Sequence, residues 1–276
     1  MSRSSSPARL RLPAAFVGFV ALVAAGCSGS PANPMSPLAL SGNTSQKGGA
    51  APSSAGKVDV CHLNDTGGFQ MINVSGNALQ AHLAHGDGQP SGVVPASTDK
   101  KFGANCEVLV LREHTISLVS GAGGGTGTLD AAVSYAKASG TGTAVIIDTH
   151  PFYASLPGAR WVSWATHPEG SSTYGAPHVG DDVTYNIGFT LPAGATNASL
   201  SGTFYADNRG SGSLNGGLLG AHSATPFGAG FSTPVSLSTS SGLVSGANTL
   251  SFTVEDQGGI SGVTFSVTVT YSIWAQ

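Results

Sequence analysis

Charged side chains are scarce: Asp, Glu, Lys and Arg together make up 9% of the 276 residues. No Lys/Arg cluster stands out, which excludes the basic patch that nucleic-acid binding needs. Glutamate occurs only at Glu107, Glu113, Glu169 and Glu255, a thin supply for chemistry built on two positioned carboxylates. No Gly-x-Ser-x-Gly elbow, no phosphate loop and no His-Glu-x-x-His pair is present, so the sequence points away from an enzyme. There are only three cysteines, too few for a disulfide framework throughout the chain. The single long uncharged apolar run, from Leu12 to Ala25, is too short to cross a bilayer as a finished helix.

What that run does carry is an address. Arg3, Arg9 and Arg11 precede it, and Ala24-Ala25-Gly26-Cys27 closes it. A basic start, an apolar middle and small residues at the end make a secretory signal. With a cysteine at the boundary, residues 1–26 resemble a bacterial lipoprotein signal peptide. The resemblance implies that Cys27 becomes the lipidated N-terminus, a palmitate-type acyl anchor into a membrane. Ala24 departs from the usual leucine. Ser28, where aspartate retains many such proteins at the inner membrane, implies an extracytoplasmic, outer-membrane or surface destination. Removal of the signal takes three of the 11 basic residues and none of the 14 acidic ones. Residues 27–56 are dominated by Pro, Gly, Ser, Ala and Asn without apolar periodicity, the composition of a disordered tether.

Residues 57–107 form a second segment, a mini-module. Cys61 and Cys106 are an even pair in an oxidising compartment, which points to one disulfide. Closing a loop of about 46 residues stabilises by roughly 4 kcal/mol in the chain-entropy model. "FQMINVS" (69–75) alternates like a strand, Ser75 is a plausible N-cap, and a helix follows, ending at Gly86. On it Leu79, His82 and Leu83 share a face that reads as inward. Cys61, His62, Ala78, His82, Leu83, His85, Gly86 and Asp87 resemble a small Cys-His … Ala-His-Leu-x-His-Gly-Asp module of secreted bacterial proteins. Two readings stay open. His82 and His85 at i, i+3, with His62 and Asp87, can converge on zinc or copper. Alternatively the histidines are structural and Asp87 orients one of them through a hydrogen bond. A thiolate ligand and a disulfide are mutually exclusive for Cys61.

From Val108 to the end, 108–276, the texture is β. "EVLVL" and "TAVIIDT" are strand-like, whereas "LDAAVSYAKASG" fits a short helix or a strand pair. "DDVTYNIGFTLP", "ASLSGTFYAD", "FSTPVSLS", "NTLSFTVED" and "GVTFSVTVTYSI" alternate with period two between Gly, Asn, Asp and Ser turns. The fold class is therefore mainly β: an antiparallel sandwich behind a disulfide-stapled α/β module. Trp161-Val162-Ser163-Trp164, Tyr185–Pro192, "LSGTFYADNRGSGSLNG", Gly246-Ala247-Asn248-Thr249-Leu250 and "VEDQGGISGVTFSVTV" occur in the order that resembles the galactose-binding-domain-like jelly roll. The resemblance covers 151–273, leaving 108–150 outside it or as an added strand. It implies glycan or surface-ligand binding.

Sugar binding needs aromatic platforms and a few hydrogen-bonding side chains. The candidates are Asp207, Asn208, Arg209 and Asn215 on one loop edge, with Trp161, Trp164 or Tyr174 as platforms. Asp207-Asn208 can instead hold their own turn, and Asn215-Gly216 is a type I′ hairpin pair. Asp207, Asp181 and Asp182 are also candidates for a structural calcium. The sequence thus leads to a lipid-anchored, non-enzymatic glycan-binding protein. A structural or adhesive envelope protein, or a metal binder through the His module, are the alternatives.

Overall fold

In the computed structural model residues 56–166, 182–223, 229–255, 257 and 259–276 are described. The signal peptide, Cys27, the tether, Tyr174 and Asp181 lie outside them.

The described residues open with a hairpin. β1 (Lys57–Leu63) pairs antiparallel with β2 (Phe69–Ser75) in the register Lys57↔Ser75 to Leu63↔Phe69. Asn64 makes the turn: its Oδ1 accepts from the Thr66 N–H, the Thr66 hydroxyl and the Gly68 N–H, an Asx motif that replaces lost ladder bonds. One 3-10 turn (Gly76–Ala78) leads into α1 (Leu79–Ala84). Ser75 has the extended backbone of an N-cap, but its side chain makes no capping bond. α1 buries none of its residues. Leu79, His82 and Leu83 are its half-buried face, as expected, while Gln80, Ala81 and Ala84 are exposed; the helix packs on β1. Gly86, at φ +91, ends the helix in the left-handed conformation that glycine adopts freely.

Cys61 and Cys106 are joined in a disulfide, Cα–Cα 5.2 Å. Around it Val94 and Phe102 are buried, and Phe69 and Val108 pack against them. The Phe69 and Phe102 rings meet edge-to-face at 4.6 Å. A Cβ at Gly88 would collide with the Phe102 ring, so this close approach requires glycine there.

β3 (Lys100–Phe102) pairs with β4 (Val108–Val119), and β4 with the last strand. The remaining strands are β5 (Leu129–Lys137), β6 (Gly140–Ile146), β7 (Val162–Ser163), β8 (Val183–Leu191), β9 (Thr196–Asp207), β10 (Arg209–Leu214), β11 (Gly217–Ala221), β12 (Val235–Thr239), β13 (Gly246–Glu255) and β14 (Gly262–Ala275). "LDAAVSYAKASG" is a strand and its hairpin turn, not a helix: β5 returns into β6 at Lys137↔Gly140. The order β11-β10-β13-β8-β5-β6 makes one layer, and β12-β9-β14-β4-β3 the other. The two-residue β7 pairs with both β6 and β14 and joins the layers into one ladder. Every pairing is antiparallel. Residues 108–150 contribute three strands, spread over both layers.

The period-two alternation decides which side faces the core. β8 buries Val183, Tyr185, Ile187, Phe189 and Leu191; β13 buries Leu250, Phe252 and Val254; β14 buries Val263, Phe265, Val267 and Val269. Across the layers Phe252 stacks on Phe265 at 4.4 Å and meets Phe204 of β9 at 5.1 Å. Each such buried ring contributes about 2–3 kcal/mol of apolar burial.

Candidate functional site

Two clusters of polar side chains have the geometry of a site. The first lies on the outward side of β10. In "RGSGSL" the glycines face inward: a Cβ at Gly212 would lie 3.0 Å from Leu237 and 3.4 Å from the Phe204 ring. Arg209, Ser211 and Ser213 therefore alternate outward. Arg209 stands opposite Glu255 of β13. Its Nε donates to Glu255 Oε2 and its Nη2 to Oε1, both at 2.7 Å, a bidentate fork. Both side chains keep partial exposure, 24% and 31%. Ser211 stands opposite Thr253, whose hydroxyl lies 3.0 Å from that of Thr184. Arg209, Ser211, Thr253 and Glu255 line, with Asp182 and His222, an open groove of about 300 Å³. His222 closes one side: the Gly210 N–H donates to its Nδ1 at 3.0 Å, and Nε2 donates to Thr233 O at 2.8 Å. The groove offers guanidinium donors, carboxylate acceptors and hydroxyls that do both, and no Trp, Tyr or Phe ring is among its described lining.

The second cluster is in the module. Asp87 Oδ2 accepts from Nδ1 of His82 at 2.7 Å and Nδ1 of His62 at 2.9 Å. Its Oδ1 accepts the Leu63 N–H at 2.8 Å. Asp87 is buried (2%), while His62 and His82 are 39% and 25% exposed. Burial pushes the Asp87 carboxyl up, but the bonds from His62, the Leu63 amide and His82 outweigh it and hold the pKa at about 2. His85 is exposed and lies outside this cluster. Cys61, consumed in the disulfide, is no ligand.

The other sequence candidates have structural partners. Asp207 was expected on an exposed turn but is buried, accepting the Tyr153 hydroxyl at 2.6 Å. The cause is the segment after β6, whose Tyr153 and Trp161 rings pack at 4.1 Å with Tyr205 and Phe231 against them. Asn208 Oδ1 accepts the Gln257 N–H. Asn215, at φ 49, donates to Gly242 O and Asn248 Oδ1 and accepts the Thr249 N–H. Trp161 is 1% exposed, with its Nε1–H on Ala154 O, so no face is open for a ligand to stack on. Trp164 is half-buried under Lys137, whose Nζ sits 3.6 Å from the ring centroid. Asp207 and Asp182 are not brought into a metal-ligating group among the described residues; His62, His82 and Asp87 form the one such group there. Sequence reasoning missed the pairing of Arg209 with Glu255, and the exposed ring of Phe152 (72%). Forty-six residues separate the ion pair, and only strand register joins them.

No family model matches the chain, and no curated protein does. Among solved structures, it is similar to a β-glucuronidase from an uncultured Clostridium species (TM-score 0.27, 13% identity, 58% of this chain and 29% of that one). It is also similar to a family 35 carbohydrate-binding module from an environmental isolate (TM-score 0.27, 16% identity, 51% and 89%). A third is the isomalto-dextranase of Arthrobacter globiformis T6 complexed with panose (TM-score 0.26, 11% identity, 59% and 34%). The chain thus spans about a third of the length of the two enzymes. Likeness at this level assigns neither a family nor a ligand.

Proposed function

We propose that this chain is a lipid-anchored, extracytoplasmic, non-enzymatic binding protein whose sandwich takes a polyhydroxylated glycan in the groove of Arg209 and Glu255. The observation that carries the reading is the fork itself. A guanidinium and a carboxylate, held in a half-exposed fork beside the hydroxyls of Ser211 and Thr253, present donors next to acceptors. Binding through the described lining rests on hydrogen bonds. The anchoring part rests on the signal-like N-terminus and Cys27: Cys27→Ser releases the protein from the membrane fraction, and a variant that still pellets at high salt ends that part. For the glycan part, a 15N-labelled chain from residue 27 onward, titrated with a glycan panel, should shift amides around Arg209, Ser211, Thr253 and Glu255. Saturable shifts elsewhere would move the site.

A second reading, an adhesive envelope surface without a small-molecule site, is favoured by one feature of the other layer. Ser238, Ser201, Thr268 and Ser117 stand side by side on β12, β9, β14 and β4, and all four are exposed. Such an uncharged hydroxyl row suits broad, weak contact with another polar surface.

A further inference from the structure

The module holds a second chemistry that glycan binding does not use. We propose that His62, His82 and Asp87 form a binding site for one divalent transition-metal ion of the zinc and copper class. Nδ1 of His62, Nδ1 of His82 and a carboxylate oxygen of Asp87 all lie within 4.8 Å of one another, and both nitrogens point at the same Oδ2. The imidazole planes are nearly perpendicular (88°), and the two Nδ1 atoms meet at that one oxygen. Two neutral imidazoles and one carboxylate are borderline donors that suit zinc and copper.

Neighbouring backbone bonds hold the three residues in place. Cys61, next to His62, and Gly88, next to Asp87, exchange both backbone hydrogen bonds, and Cys61 is also fixed by the disulfide. The Asp87 N–H donates to His82 O at 3.2 Å, which ties the carboxylate to the helix that supplies the second ring. Metal–ligand bonds of about 2.0–2.1 Å in a tetrahedron place ligand atoms about 3.4 Å apart. The present 2.7 and 2.9 Å contacts therefore need to open by roughly half an ångström, within reach of small ring rotations by half-exposed side chains. On binding, each neutral ring moves its proton from Nδ1 to Nε2, and the metal takes the place of the two N–H···O bonds. Solvent supplies the fourth ligand, since three protein ligands leave one position of a tetrahedron open.

The test is titration of Zn²⁺ alone, by calorimetry, into the full chain purified in detergent with its disulfide intact. One equivalent binds, His82→Ala weakens it at least tenfold, and His85→Ala leaves it unchanged. Ca²⁺ and Mg²⁺, which prefer all-oxygen sites, give no heat. X-ray absorption at the zinc edge of the wild-type complex shows two imidazole nitrogens in the first shell; this readout does not depend on whether a variant folds. Absence of zinc binding by the wild type, or binding that survives replacement of both His62 and His82, overturns the site and leaves Asp87 as a structural clamp only.

Discussion

Cys61 and Gly88 exchange both backbone hydrogen bonds, N–O 2.8 and 3.1 Å, so the half-cystine preceding His62 is locked to the residue following Asp87. The disulfide, the bridge and the carboxylate form one unit. Its energetic centre is the cross-link, because the apolar cluster around it has only two buried members besides the cysteines.

Reduction should therefore cost the module most of its stability. With Cys61 and Cys106 45 positions apart, the chain-entropy model gives a loss of about 4 kcal/mol. Calorimetry with and without reductant should show a separate, lowered transition on reduction. Non-reducing peptide mapping should recover the Cys61–Cys106 pair.

Asp87 makes acid stability testable. Its carboxyl is held at about 2, below the ordinary aspartate value of about 3.9, so its contribution is fully present above about pH 4 and is lost as pH falls towards 2. The difference corresponds to about 2 kcal/mol. Urea melts between pH 5 and 2 should show this slope in the wild type, and Asp87→Asn should remove it. An unchanged slope in the variant would place the acid-labile group elsewhere.

On the sandwich, Asp207 and Arg209 should behave in opposite ways although they are two residues apart. Asp207→Ala strips the Tyr153 hydroxyl of a buried acceptor and should lower stability by about 1–3 kcal/mol, with glycan affinity retained if the fold survives. Arg209→Ala, on the half-exposed surface, should move stability by about 1 kcal/mol or less and weaken glycan binding. Melting and titration on both variants separate the roles.

This contrast marks what the sequence could tell and where it stopped. The alternation in "VTYNIGFTL" and "TFSVTVTYSI" exposes the core face directly, because strand geometry has one period and no alternative. The Asn215-Gly216 turn reads equally well, since few residue pairs tolerate its two positive φ angles (49 and 84). The cysteine pair follows from number, two cysteines being left once Cys27 is set aside. By contrast, the burial of Asp207 depends on a segment some fifty residues earlier folding over it, and "DNRG" carries no trace of that. Helical periodicity gives the half-buried face of Leu79, His82 and Leu83 but not what lies opposite it. Here the neighbour is Asp87, not a core. "LDAAVSYAK" has Ala-rich helical propensity, yet β8 and β6 flank it and their ladders decide.

Asn215 offers a further check. Its side chain makes three bonds that join the β10–β11 turn to Gly242, Asn248 and Thr249. Asn215→Ala loses them and places alanine at positive φ, and should cost about 2–3 kcal/mol. Asn215→Gly relieves the backbone and should cost less. Equal losses in the two variants would assign the whole effect to the side-chain bonds.

Whether the Arg209–Glu255 groove recognises glycan is answered most directly by a glycan microarray. The chain from residue 27 onward is compared with its Arg209→Ala variant at equal folded concentration. The account predicts a saturable signal on at least one glycan class, lowered about tenfold to a hundredfold in the variant, equivalent to the loss of a charged hydrogen bond. No saturable signal from the wild type, or the same signal from both proteins, contradicts it.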